Sequence, residues 1–253
     1  MHNLALPKER IVVLSILGVI VLLSWVYLFD MANAMEAGHC ASMAGEPWSV
    51  GYFTAMLLMW IIMMVGMMVP SAIPMILIYA SVVRKAAGEG SSLAATEVFV
   101  AGYVVIWTLF SLVATIAQWA LDRMALLSPM MMSNSNMLGG GLLLAAGAYQ
   151  LTPFKAACLR HCRSPIQFLA SHWKPGGVGA FQMGIEHGSF CLGCCWVLMA
   201  LLFFGGVMNP WWIGGLTLFV LLEKVLSFGA LAGRIMGAIV AVCGLLVLVR
   251  ELS

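Results

Sequence analysis

The string HGSFCLGCCW, residues 187–196, sets His187, Cys191, Cys194 and Cys195 within nine positions of an otherwise apolar stretch. On a helix, at about 100° per residue, Met183, His187, Cys191, Cys194 and Cys195 fall within about 120° of arc. His187 to Cys191, and Cys191 to Cys195, are each one turn apart. Side chains so placed can converge on one ion. Thiolate and imidazole suit Cu(I), Zn(II) and other thiophilic ions. Thiolate also offsets the charge that makes a buried cation costly. Taken singly, each cysteine also reads as a small packing hydrophobe. Adjacent Cys194 and Cys195 differ by about 100° around the axis, so both need not face one point. As a set with His187, they are read as a metal site.

A second cluster lies in CLRHCR, with Cys158, His161 and Cys162. If that stretch is helical, Cys158 and Cys162 share a face one turn apart. Arg160, His161 and Arg163 beside them favour thiolate forms. The alternative is a basic helix end solvated at the head groups. A third group is the methionine stretch MLLMWIIMMVGMMVPSAIPM, residues 56–75. Met56, Met59, Met63 and Met67 form a narrow helical stripe, which Met64, Met68 and Met75 widen. Met63 and Met67 are candidate soft ligands, since thioethers favour Cu(I) over hard cations. Methionine also fills gaps in helix bundles. Pro70 and Pro74 break the helical ladder there and free the carbonyls of Gly66 and Pro70, with Ser71 at hand to satisfy them. Glu36, His39, Cys40 and Met43 in EAGHCASM form a loop, either solvated or a weak capture point. Met130, Met131, Met132 and Met137 carry the same two readings. Glu223 and Lys224 either mark an interfacial helix end, with Lys224 snorkelling, or place Glu223 inside the bundle as an acceptor. Glu186 either fixes the neighbouring imidazole or pairs with a lysine.

The elements that must position these groups follow from composition. The 253 residues are 63% hydrophobic and 9% charged, against about 45–50% and about 25% in ordinary soluble domains. Apolar runs are long, and about 20 such residues cross a bilayer as a helix. The expected fold is all-α, a polytopic transmembrane helix bundle forming one integral membrane domain over 1–253. Seven spans are expected at about 11–29, 52–80, 97–121, 137–153, 180–204, 211–228 and 234–249. Ala32-Asn33-Ala34 resembles a signal-peptide cleavage site, but the apolar run before it is longer than usual. We read it as a retained span; cleavage would leave six. Lys8, Arg10, Arg84, Lys85, Lys155, Arg160, Arg163, Lys174, Lys224 and Arg234 fall on one side of the alternation. The positive-inside rule therefore puts the N-terminus in the cytoplasm and the C-terminus outside. A net charge of +2 gives no case for nucleic acid as a partner. The partners expected are the lipid bilayer and a metal ion. Seven cysteines in apolar surroundings point to metal or redox chemistry rather than a disulfide framework.

Met63-Met64 through Pro70-Ser71 and Pro74 form one part of a familiar pattern. Tyr149-Gln150, Pro153, Lys155, Cys158, Cys162-Arg163 and Pro165 form the next. The string HG-x-x-C-x-G-C-C-W-x-x-M at 187–199, then Gly206-Val207-Met208-Asn209 and Leu222-Glu223-Lys224, complete it. Together, over about residues 50–250, they resemble a bacterial family of predicted metal-binding integral membrane proteins whose domain has no assigned function. The resemblance implies that Cys158, Cys162, His187, Cys191, Cys194 and Cys195 serve as metal ligands. It also implies a bacterial inner (cytoplasmic) membrane location, in which the outer side that the positive-inside rule gives the C-terminus is the periplasm. His39 and Cys40 lie outside it.

The function expected is binding of a soft metal, copper as Cu(I) first and zinc second, for its transport, delivery or homeostasis. Delivery would involve a periplasmic or membrane partner protein. One alternative is a membrane thiol-disulfide oxidoreductase built on Cys191-x-x-Cys194. Another is a metal-stabilised accessory subunit of a membrane metalloenzyme. Beyond the thiols no nucleophile or acid–base pair stands out, so catalysis by this chain alone is not expected. No nucleotide motif accompanies the cluster, so movement of metal would be passive, ion-coupled or driven by a partner.

Overall fold

A computed structural model describes residues 8–36, 48–87, 92–128, 131–226 and 228–252. Among the described residues the chain is all-α, with an isolated bridge from Leu127 to Ser133 in place of any strand. Five helices are long and apolar enough to cross a membrane. They are α1 (Lys8–Glu36), α2 (Val50–Ala87), α3 (Ser92–Arg123), α7 (Gly176–Ala200) with its short extension α8 (Leu202–Gly205), and α10 (Gly229–Leu252). A sixth crossing arises if α4 (Asn136–Gln150) and α5 (Pro153–Arg163) count together, although they are bent by 65°. The short α6 (Pro165–His172) follows α5, and α9 (Pro210–Val225) precedes α10. All seven apolar segments therefore lie on helices. The segment 211–228 makes the 16-residue α9, shorter than the roughly 20 residues a straight crossing needs.

The bend after α4 has a local cause. Thr152 caps α5 by accepting from the Lys155 N–H at 3.2 Å, and Pro153 takes the first helical position. A cap and an N1 proline start a new helix rather than continuing the old one. The new helix turns Lys155, Cys158 and Leu159 inward. Asn209 and Pro210 repeat the device at the start of α9.

Close helix approach, more than apolar burial, holds such a bundle, because acyl chains are as apolar as leucine. Gly102 of α3 and Gly184 of α7 meet backbone to backbone. A Cβ at Gly184 would fall on the Phe99 carbonyl, and one at Gly102 on the Phe181 carbonyl. α2 lies at the centre, with Met56, Met59, Trp60, Met63, Met64 and Met67 fully buried. By contrast, α1 and α10 expose Leu22, Leu23, Ile239 and Leu246 outward. That is the exterior a bilayer requires.

Candidate metal centre

Four helices bring side chains to Cys191. His187, Cys191, Cys194 and Cys195 on α7 are all buried, as the face arithmetic expects. From α9, Lys224 Nζ donates to Cys191 Sγ at 3.0 Å. From α3, the Tyr103 hydroxyl lies 3.1 Å from the same sulfur. From α5, Cys162 lies near enough to Cys191 and Cys194 to interact electrostatically with both. Cys195 interacts with the same two thiols. The structure thus brings Cys162, Cys191, Cys194, Cys195 and His187 together.

The network extends to the proline region of α2. Lys224 Nζ also donates to Ser71 Oγ at 3.0 Å. Ser71 Oγ and the Tyr103 hydroxyl both donate to the Met68 carbonyl, at 2.8 and 3.1 Å. The proline stretch, helical throughout, thereby becomes a wall of the site. Met68 contributes through its carbonyl, and Pro70 and Pro74 sit inside the continuous α2. Met63 and Met67 are buried on that helix. Ser71 continues their stripe, one turn beyond Met67 and two beyond Met63. The stripe therefore leads to Lys224, and the contact made there is through Ser71.

His187 lies one turn before Cys191. Its ring packs among Phe168, Tyr103 and Phe99, with centroids 5.5, 5.8 and 6.2 Å away. Its Nδ1 is buried and has no hydrogen-bond partner. Such an atom costs about 1–3 kcal/mol, which a bound ion would relieve. Thiols, imidazole and this orphaned nitrogen fit a soft cation. Among the described residues, however, no three His, Cys, Asp or Glu side chains stand as a finished coordination shell. Cys194 and Cys195 both turn their Sγ to the Cys191 carbonyl, at 3.0 Å. Convergence on one ion requires rotation about χ1, a change between staggered wells.

Cys158, one turn before Cys162, lies on the flank of this set. Its Sγ rests on Gly193, where a Cβ would come within 2.8 Å of it. The Tyr149 hydroxyl donates to the Gly193 carbonyl and fixes α4 against the same flank. The basic residues around Cys162 have other engagements. Arg163 donates to the Leu226 carbonyl at 2.6 Å, and His161 stacks on Phe190 with centroids 4.1 Å apart. The cation that meets the thiols is Lys224. Far from snorkelling to an interface, it is buried, as is Glu223. Glu223 pairs with Lys155, whose ammonium also donates to Gln150 Oε1. Glu186 pairs with Lys174 in a more exposed position.

His39, Cys40, Met43 and Met130 lie outside the described residues, and Cys243 is exposed. Met131 is buried, and its sulfur accepts from Gln118 Nε2 at 3.1 Å. Met132 and Met137 are exposed. The residue that sequence reasoning missed is Tyr103. A pattern was there to find it: Thr96, Tyr103, Ser111, Thr115 and Gln118 form a polar stripe along apolar α3. All five are buried.

A family model described as "PpoB2: Copper chaperone" matches residues 57–247, which span every residue of this site. No curated protein matches, and neither does any solved structure.

Proposed function

The chain belongs to the PpoB2 copper chaperone family, and from that premise we propose that it takes up Cu(I) at Cys191 and hands it on. Cys162 and Cys194 supply the companion thiolates and His187 an imidazole. Cys195 and Cys158 stand beside them as exchange positions. Met63 and Met67 offer weaker thioether positions along α2. Each thiol that binds gives up its proton, so loading releases protons to the surroundings. Three thiolates outweigh the single charge of Cu(I). The Lys224 ammonium, 3.0 Å from Cys191 Sγ, offsets part of that surplus in a medium where unpaired charge is costly. Tyr103 and Ser71 hold sulfur and ammonium in register through the Met68 carbonyl. The same donor set would accept Zn(II) as a competitor.

The setting proposed is a bacterial inner membrane, with the recipient a membrane or periplasmic protein. One observation carries the reading: thiols from α5 and α7 meet beside a buried lysine. The same meeting of Cys162 with Cys191 and Cys194 also supports a second reading, a disulfide made and broken between the two helices. The test is an anaerobic titration of the purified protein in detergent, with a colorimetric Cu(I) chelator as competitor. The wild type should retain stoichiometric Cu(I). Cys191→Ser should weaken retention by about a hundredfold, the share of one thiolate in a several-ligand site. Retention that ignores Cys191 would remove the copper reading. A thiol pair of defined potential, unaffected by the chelator, would install the redox one.

A further inference from the structure

Away from the thiols, the bend between α4 and α5 and the turn between α9 and α10 enclose a cavity of about 510 Å³. Arg160 and Arg163 of α5 and Arg234 of α10 line it. Glu223 also lines it, but its carboxylate is engaged by Lys155. The pair cancels, and the three arginines leave the cavity strongly cationic. Arg163 is anchored at its rim by the Leu226 carbonyl. The inner wall includes Gln150, whose Oε1 is held by Lys155 and whose Nε2 is sealed within the protein. The remaining wall is apolar, from Leu151, Pro153, Ala156 and Leu159.

Cationic rim and apolar wall together describe one kind of guest. We propose that this cavity binds a phosphate-diester oxyanion, the headgroup of an anionic phospholipid, whose acyl chains follow the apolar wall outward. Arginine forks match phosphate oxygens. Basic pockets between membrane helices are the form that headgroup recognition takes. The cavity shares Glu223 with the helix that presents Lys224, so a bound headgroup stabilises α5 and α9 in the arrangement that the thiol site uses.

The proposal stands apart from copper, and its test uses none. The full chain is placed in nanodiscs of mixed phosphatidylglycerol and phosphatidylcholine, and retained lipid is measured by native mass spectrometry after release. The wild type should retain phosphatidylglycerol in preference to phosphatidylcholine. Each arginine removed should cut that preference about fivefold, so Arg160→Gln with Arg234→Gln should cut it about 25-fold. Arg84→Gln removes a charge elsewhere, at the end of α2, and should leave the preference intact. Arg234→Gln alone should weaken it about fivefold, which guards against misfolding of the double variant. A preference that survives the double substitution, or that falls equally with Arg84→Gln, overturns the site. Displacement of the lipid by millimolar inorganic phosphate assigns the oxyanion to a free anion and overturns the phospholipid.

Discussion

Two buried ammonium groups lie close together in this bundle, and they have opposite kinds of partner. Lys155 is matched by the Glu223 carboxylate and the Gln150 amide. Lys224, the very next residue after Glu223, is matched by a cysteine sulfur and a serine hydroxyl. A carboxylate is a permanent counter-charge at neutral pH. A thiol is conditional: it can bind a proton or a soft metal. The first pair therefore locks α5 to α9. The second leaves a cation waiting on a group whose charge depends on what it carries. On the proposed reading, structure and cargo handling are divided between consecutive residues of one helix.

The sharpest way to break the comparison is to strip one partner from the locked pair. Glu223→Ala leaves Lys155 buried and uncompensated, which costs about 3–5 kcal/mol. Thermal unfolding in detergent should show a large loss of stability, and Glu223→Leu with Lys155→Met should restore most of it. Equal stability in the single and double variants would show that the pair is not the lock. Next in size is Lys224→Met. Replacing a cation by an apolar side chain of similar length leaves no orphan charge on α9, so the unfolding temperature should move little. Cu(I) affinity should fall about 10–100-fold, the range for a group that supports metal ligands. A large stability loss with unchanged affinity would reverse the roles assigned to the two lysines. The smallest effect is expected from Tyr103→Phe. It removes one hydroxyl shared between Cys191 and the Met68 carbonyl, worth about 1 kcal/mol of stability. A chelator titration should register a change in affinity of less than about tenfold.

How far this division could be read in advance differs from element to element. The apolar runs gave the long helices, because bilayer thickness sets a length that composition reveals, but not the polar α5 or the short α6. The face of α7 was legible because four of its reactive residues repeat at helical spacing. What did not follow from the string was the meeting of α5 with α7. Cys158 and Cys162 share a helical face, yet the first rests on Gly193 and the second reaches Cys191 and Cys194. That choice depends on the 65° bend, a tertiary quantity. The 16-residue length of α9 was hidden too, since residues 211–228 read as one apolar run broken mainly by Glu223 and Lys224 near its end. Lys224 was left open between an interfacial end and the bundle interior, because a lysine near a helix end usually snorkels, and it is buried. It was a partner on another helix that drew it inward. Tyr103 was overlooked as one aromatic among many in α3, although its stripe of polar neighbours marks a buried face.

The central claim is that copper is held by sulfur from two helices beside Lys224. X-ray absorption at the copper edge of the Cu(I)-loaded protein tests it most directly. A sulfur-dominated first shell is predicted, which loses sulfur in Cys191→Ser and again, separately, in Cys162→Ser. A shell of nitrogen and oxygen, or one that neither substitution alters, would contradict it.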